Sequence, residues 1–289
     1  MVHLGKFRVA TLAKAWVLPF SLVALSGCVT VESPGTGKVS DEATQTATSI
    51  GSGPVEGKTP HQPDWNKAAK ERMSLGLQYL EQGNTARAKA NLDKAMKYRP
   101  DMPEVQYGMG YYYQRVNEPK IAEEHYKKAL SLAPKDADAH NIYGAFLCAQ
   151  GRYDEAQDHF DTAVSSPNYS QQAATLENAG LCSLKQGDKA KAEGYFNKAL
   201  GYNPEQPRAL LELGNMEFDR GNLARARGYL SSYQKVARPN PRSLWLSIRI
   251  AREVGDKDTE ASSALLLTQQ FPQSDEAKLY QQSRASWQR

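Results

Sequence analysis

No apolar run in the front of this chain is long enough to cross a bilayer as a helix. Ala15 to Leu25, AWVLPFSLVAL, spans eleven residues and is broken by Pro19 and Ser21, where about 20 apolar residues are needed. A charge excess is also missing once residues 1–27 are set aside. Those residues hold Lys6, Arg8 and Lys14 and no acidic group, so 36 basic and 32 acidic residues become 33 and 32, a net charge of +1. Such a balance carries no basic patch for nucleic acid. No glycine-rich loop is placed to cradle a phosphate, and no Ser or Cys nucleophile has an identifiable base. The five histidines, His3, His61, His125, His140 and His159, have no carboxylate or thiol evidently set beside them to complete a metal site, and are read as solvated. No enzyme and no cofactor is expected. Alternating strand patterns are absent too, and β-branched residues are sparse beyond residue 64, which excludes a sheet fold.

What is present begins with a charged front, a short apolar run and small residues, the layout of a secretory signal peptide over residues 1–27. Leu25-Ser26-Gly27-Cys28 resembles the lipobox of bacterial lipoproteins: an aliphatic residue, two small ones, then Cys. The resemblance implies that Cys28 becomes the mature N-terminus and carries acyl chains, palmitate among them. Each buried CH₂ contributes about 0.8 kcal/mol, so several chains hold a protein to a membrane durably. The next residue is Val29 rather than Asp, which by the lipoprotein sorting rule implies the outer membrane, facing the periplasm. Residues 28–63 are rich in Ser, Thr, Gly and Pro with few large apolar side chains. Their burial could not offset their ordering entropy, so they read as a flexible tether.

From residue 64 onward Ala, Leu, Tyr, Lys, Glu and Gln dominate, which is helical sequence. It repeats. Gly76, Gly110, Gly144, Gly180 and Gly214 are spaced 34, 34, 36 and 34 residues apart. Twelve residues beyond each lies Ala88, Ala122, Ala156, Ala192 or Ala226; four further on come Leu92, Tyr126, Phe160, Phe196 and Leu230. Pro100, Pro134, Pro204 and Pro272 close units. Small residues permit a close helix crossing, the bulky one fills the gap beside it, and Pro punctuates the unit. The pattern resembles the tetratricopeptide repeat. It implies an all-α superhelical solenoid of six helix pairs over residues 64–274, capped by a helix at 275–289. The sixth copy departs: Ile248 stands where Gly is expected and Glu260 where Ala is, so a looser or shifted crossing is predicted. SPNYS, 166–170, inserts two residues and should bulge one inter-unit turn.

In such a stack the first helix of each pair faces inward. Repeat positions nine and twelve then place Leu77, Leu80, Tyr111, Gln114, Leu181 and Leu184 in a groove for a partner polypeptide, partly apolar and not lined by Lys or Arg. Cys148 and Cys182 lie one unit apart, on the first helices of copies three and four. Oxidising surroundings favour a disulfide there, with two buried thiols as the alternative.

A lipobox, a tether, about six tetratricopeptide units and the paired Cys148 and Cys182 resemble the PilF/PilW family of type IV pilus biogenesis lipoproteins, or pilotins. That resemblance implies an outer-membrane scaffold that binds secretin subunits and promotes their localisation and multimerisation. A monomer is expected. A periplasmic adaptor for outer-membrane protein assembly or for peptidoglycan enzymes is the alternative.

Overall fold

The computed structural model describes residues 64–287; Cys28, the leader over 1–27 and the rest of the tether lie outside them. Thirteen helices and no strand occur among the described residues. They form six consecutive pairs: α1 (Trp65–Glu81) with α2 (Thr85–Tyr98), α3 (Pro103–Arg115) with α4 (Pro119–Leu132), and α5 (Ala137–Ala149) with α6 (Tyr153–Val164). Then come α7 (Gln172–Gln186) with α8 (Lys189–Tyr202), α9 (Pro207–Asp219) with α10 (Leu223–Val236), and α11 (Pro241–Val254) with α12 (Lys257–Gln270). A last helix, α13 (Asp275–Trp287), packs on α11 and α12. No described helix is long and apolar enough to cross a membrane.

Each boundary has a local cause. Asp64, Asn84, Asp188 and Asp256 each accept a hydrogen bond from the backbone N–H three residues on, satisfying donors that the first helical turn leaves open. Asn240 and Ser243 form a reciprocal capping box at α11. Pro100, Pro134, Pro204 and Pro272 each follow a helix C-cap by one residue, where the chain must leave the helix. At the turn inside each pair sits a residue with positive φ: Gly in five units, from 75° to 93°, and Asn117 at 63° in the second. Asn is the commonest non-glycine tolerated there.

In the first four pairs the repeated Gly and the bulky residue sixteen positions later touch, whereas Gly214 in the fifth faces Leu246 of the next unit. A Cβ on Gly110 would lie 2.7 Å from the Tyr126 ring, and one on Gly180 would lie 2.5 Å from Phe196. Tyr126, Phe160 and Phe196 are at most 1% exposed, and the Ala at each crossing is fully buried. The sixth pair closes by a different route. Ile248 on α11 is fully buried against Ala264 on α12, so the large and small partners have changed helices. Ser247 and Ser263 share a buried hydrogen bond at 2.9 Å, and Glu260 meets Arg252 at 2.6 Å. The predicted loosening is therefore replaced by an exchange of volumes. α13 then covers this end, with Ala277 fully buried beside Ile248 and Leu267.

Units are tied to one another by polar contacts that cross the joints. Glu177 of α7 accepts from the backbone N–H of Ala209 at 3.0 Å, capping α9, whose own N-cap Gln206 makes no such bond. In the inserted turn, Asn168 takes a φ of 59°. It lets Tyr169 fold back so that its hydroxyl donates to Asp138 at 3.1 Å and reaches Thr175 at 3.2 Å. Glu123 of α4 accepts from Arg152 at 2.7 Å and from the Tyr143 hydroxyl at 3.0 Å. Hydrogen bonds from Arg152 first, then from Lys127, hold the Glu123 carboxyl down at about 2. Its contribution to stability is full above about pH 4.5 and disappears as the pH falls through about 2. Glu123→Gln should flatten that stretch of the acid unfolding curve, read by urea melts from pH 2 to 6.

Candidate functional site: the inner groove

The backbones of successive first helices approach one another closely, from α1 and α3 through to α9 and α11, whereas those of successive second helices stay apart, α6 and α8 being linked by the Tyr195 hydroxyl donating to Asp161 at 3.2 Å. Close spacing on one side and splayed spacing on the other curves the stack, with α1, α3, α5, α7, α9 and α11 on the inner face. This is the surface on which a partner would lie.

Along it the predicted groove residues divide. Leu181 and Leu184 on α7 are half-buried and line a hollow of about 380 Å³ together with Ala145, Phe160 and the Cys148–Cys182 pair. Leu77 and Tyr111 are also half-buried. Leu80 is 2% exposed and belongs to the first unit's core. Gln114 accepts a hydrogen bond from the Tyr126 hydroxyl at 2.8 Å, which engages it within the chain.

Cys148 and Cys182 are joined as a disulfide with a Cα–Cα distance of 5.8 Å, bridging α5 and α7 across the joint that carries the insertion. At the same joint Asn178 donates to Asn141 at 3.1 Å.

The C-terminal end of the groove differs from the expected apolar face. A second hollow of about 460 Å³ is lined by Lys189, Arg220, Arg242 and Arg249, with Glu212, Asn215 and Asp219. Arg242 grips Glu212 through two hydrogen bonds, at 2.6 and 2.9 Å. The Arg249 guanidinium lies 4.4 Å from the centre of the Phe218 ring. The expectation of a face without Lys or Arg fails here, because Arg242 and Arg249 both lie on α11, the inner helix of the sixth copy, Arg249 at repeat position nine. That copy lacks the Gly and Ala landmarks, with Ile248 and Glu260 in their places, so the repeat pattern does not mark its inward positions.

The histidines are not simply solvated. His125 is half-buried, stacks on Tyr113 and shares a hydrogen bond of 2.8 Å with Gln106. His140 and His159 face each other through their Nδ1 atoms at 2.8 Å. The Pro134 carbonyl, 3.0 Å from His140 Nε2, must accept, so His140 carries its proton on Nε2. His159 therefore donates from Nδ1. Burial, and then the proximity of His140, lower the affinity of His159 for a second proton. Among the described residues no three His, Cys, Asp or Glu side chains are grouped to hold a metal.

A curved stack of helix pairs with a half-apolar, half-cationic inner groove defines a tetratricopeptide protein built to hold another polypeptide. Models of the tetratricopeptide repeat match residues 72–102, 103–136, 136–205 and 180–243. A solved structure of PilF from Pseudomonas aeruginosa aligns with a TM-score of 0.67 and 35% identity over 76% of this chain and 100% of that one. The crystal structure of PilW, described as a widely conserved type IV pilus biogenesis factor, aligns at 0.63 and 29% identity, over 74% of this chain and 99% of its own. In sequence, the type IV pilus assembly protein PilF of Pseudomonas aeruginosa is 39% identical over 90 residues, 31% of this chain and 36% of that protein. An uncharacterized protein of Haemophilus influenzae is 42% identical over 88 residues, 30% of this chain and 49% of its own length. The aligned stretches thus span half or less of these two curated relatives. The chain belongs to the PilF/PilW family of type IV pilus biogenesis tetratricopeptide proteins.

Proposed function

We propose that this chain is an outer-membrane lipoprotein of type IV pilus biogenesis, a pilotin, which binds subunits of the pilus secretin and promotes their localisation and multimerisation. The observation that carries this reading is the structural match covering the whole of the solved PilF chain. The lipobox at Cys28 and the groove on the inner face support it. In this mechanism no bond is made or broken. Packed helix pairs hold a preformed surface, which lowers the ordering entropy of binding, and acyl chains on Cys28 supply the membrane attachment.

Cys28→Ala should leave the helical stack folded while the protein is lost from the outer membrane. Heat-resistant secretin multimers should fall with it, measured by immunoblot of fractionated envelopes. Full secretin assembly in that strain would remove the anchoring role. A general envelope defect on deletion, with secretin multimers intact, would favour the adaptor reading instead.

A further inference from the structure

The two hollows of the inner groove share Leu184, Glu212 and Arg242, so they form one continuous cleft over α7, α9 and α11. One part is apolar, the other cationic. Around the whole cleft stand five cations, Lys185, Lys189, Arg220, Arg242 and Arg249, and two carboxylates, Glu212 and Asp219. The chain beyond residue 27 is almost charge-balanced, so this excess is local.

The cations are compensated unequally. Arg242 is matched by Glu212, and Arg220 by Glu193 and Glu217. Arg249 is not. One of its terminal nitrogens donates to the neutral Asn215 carbonyl, and the other lies 3.5 Å from the exposed Asp219. Its Nε–H is buried with no acceptor among the described residues. Burial disfavours its charged form, and Asp219 offsets this only in part. An anion entering the cleft would supply that charge, and in a partly desolvated groove the attraction exceeds that in water. A free phosphate would leave the Leu181 and Leu184 half unused.

We infer that this cleft receives a partner segment in which apolar residues adjoin side-chain carboxylates. The apolar residues sit on Leu181 and Leu184, and the carboxylates face Arg249 and Lys189. This rests on the reading that the chain works by holding a polypeptide, and it names the chemistry of what is held. Charge complementarity of this kind steers encounter and selects partners.

The test places the photocrosslinker p-benzoylphenylalanine at Leu184 of the full-length chain in cells that assemble pili, with a parallel chain carrying it at Leu77. Crosslinked peptides are mapped by mass spectrometry. At Leu184 the adduct should fall in a partner segment with Asp or Glu within about four residues of a large apolar side chain, a single turn of helix. Lys189→Glu, at an exposed position, and Arg249→Gln should each lower its yield by about fivefold or more, with the Leu77 adduct and the Lys189→Glu melting curve unchanged. No adduct at Leu184, an adduct in a segment without acid, an adduct with residues 28–63 of the chain itself, or a yield indifferent to Lys189→Glu would overturn the proposal. An acidic segment from a protein other than the secretin would keep this inference and remove the pilotin reading. Secretin captured at Leu77 alone would do the reverse.

Discussion

Gly180→Ala should destabilise the protein by about 1 kcal/mol net or more, although alanine is ordinarily the better helix former. The usual gain is about 1 kcal/mol for replacing a helical glycine. At this crossing the new Cβ would stand 2.5 Å from Phe196 Cε1 and 2.7 Å from its Cδ1. Phe196 is fully buried, so its ring can move only by displacing its neighbours, and overpacking of this kind typically costs about 1–3 kcal/mol or more. Gly194 supplies the control: it lies within α8 and nothing stands within 4 Å of the position its Cβ would take. The same substitution there should be neutral or stabilising. Urea melts of both variants decide the matter. A Gly180→Ala protein as stable as the parent would mean that α7 and α8 do not cross this closely.

Removing the Cys148–Cys182 bridge should cost about 3–4 kcal/mol, the chain-entropy value for a loop of some 34 residues. The double variant Cys148→Ala/Cys182→Ala, and the parent in reductant, should show the same lowered urea midpoint. Parent and variant should become indistinguishable once the parent is reduced. A parent indifferent to reductant would show that the two sulfurs are unpaired in solution. The effect should be concentrated where units three and four meet, since each unit in such an array contacts only its neighbours. Hydrogen exchange should therefore rise first in α5 and α7. As the bridge forms part of the cleft wall with Leu181 and Leu184, crosslinking at Leu184 should weaken in the same variants.

Much of this molecule is written in single residues at fixed intervals. The helix pairs follow from Gly and Ala at the crossing, a bulky side chain to fill it, and Gly or Asn at the turn. Each acts locally and needs no knowledge of the rest of the chain. The first four bulky residues fill the crossings that their positions assign to them. Three features were not readable in this way. The Ile248 and Ala264 exchange depends on two departures that compensate each other across a helix interface, so either one alone looks like decay. The cationic end of the groove came from that same copy, whose missing landmarks hid the inward positions of Arg242 and Arg249. The pairing of His140 with His159 joins two helices at a spacing of 19 residues, and nothing in the repeat requires it. Leu80 and Gln114 have the right position but the wrong surroundings, because a position number tells which way a side chain sets out and not what already fills the space.

The volume exchange in the sixth pair also limits how this array can be re-engineered. A helix grafted from any of the first four units onto α11 or α12 would bring either two bulky partners to one crossing or none. Hybrids cut between α11 and α12 should therefore collapse, whereas hybrids cut before α11, which transplant the last pair whole, should survive.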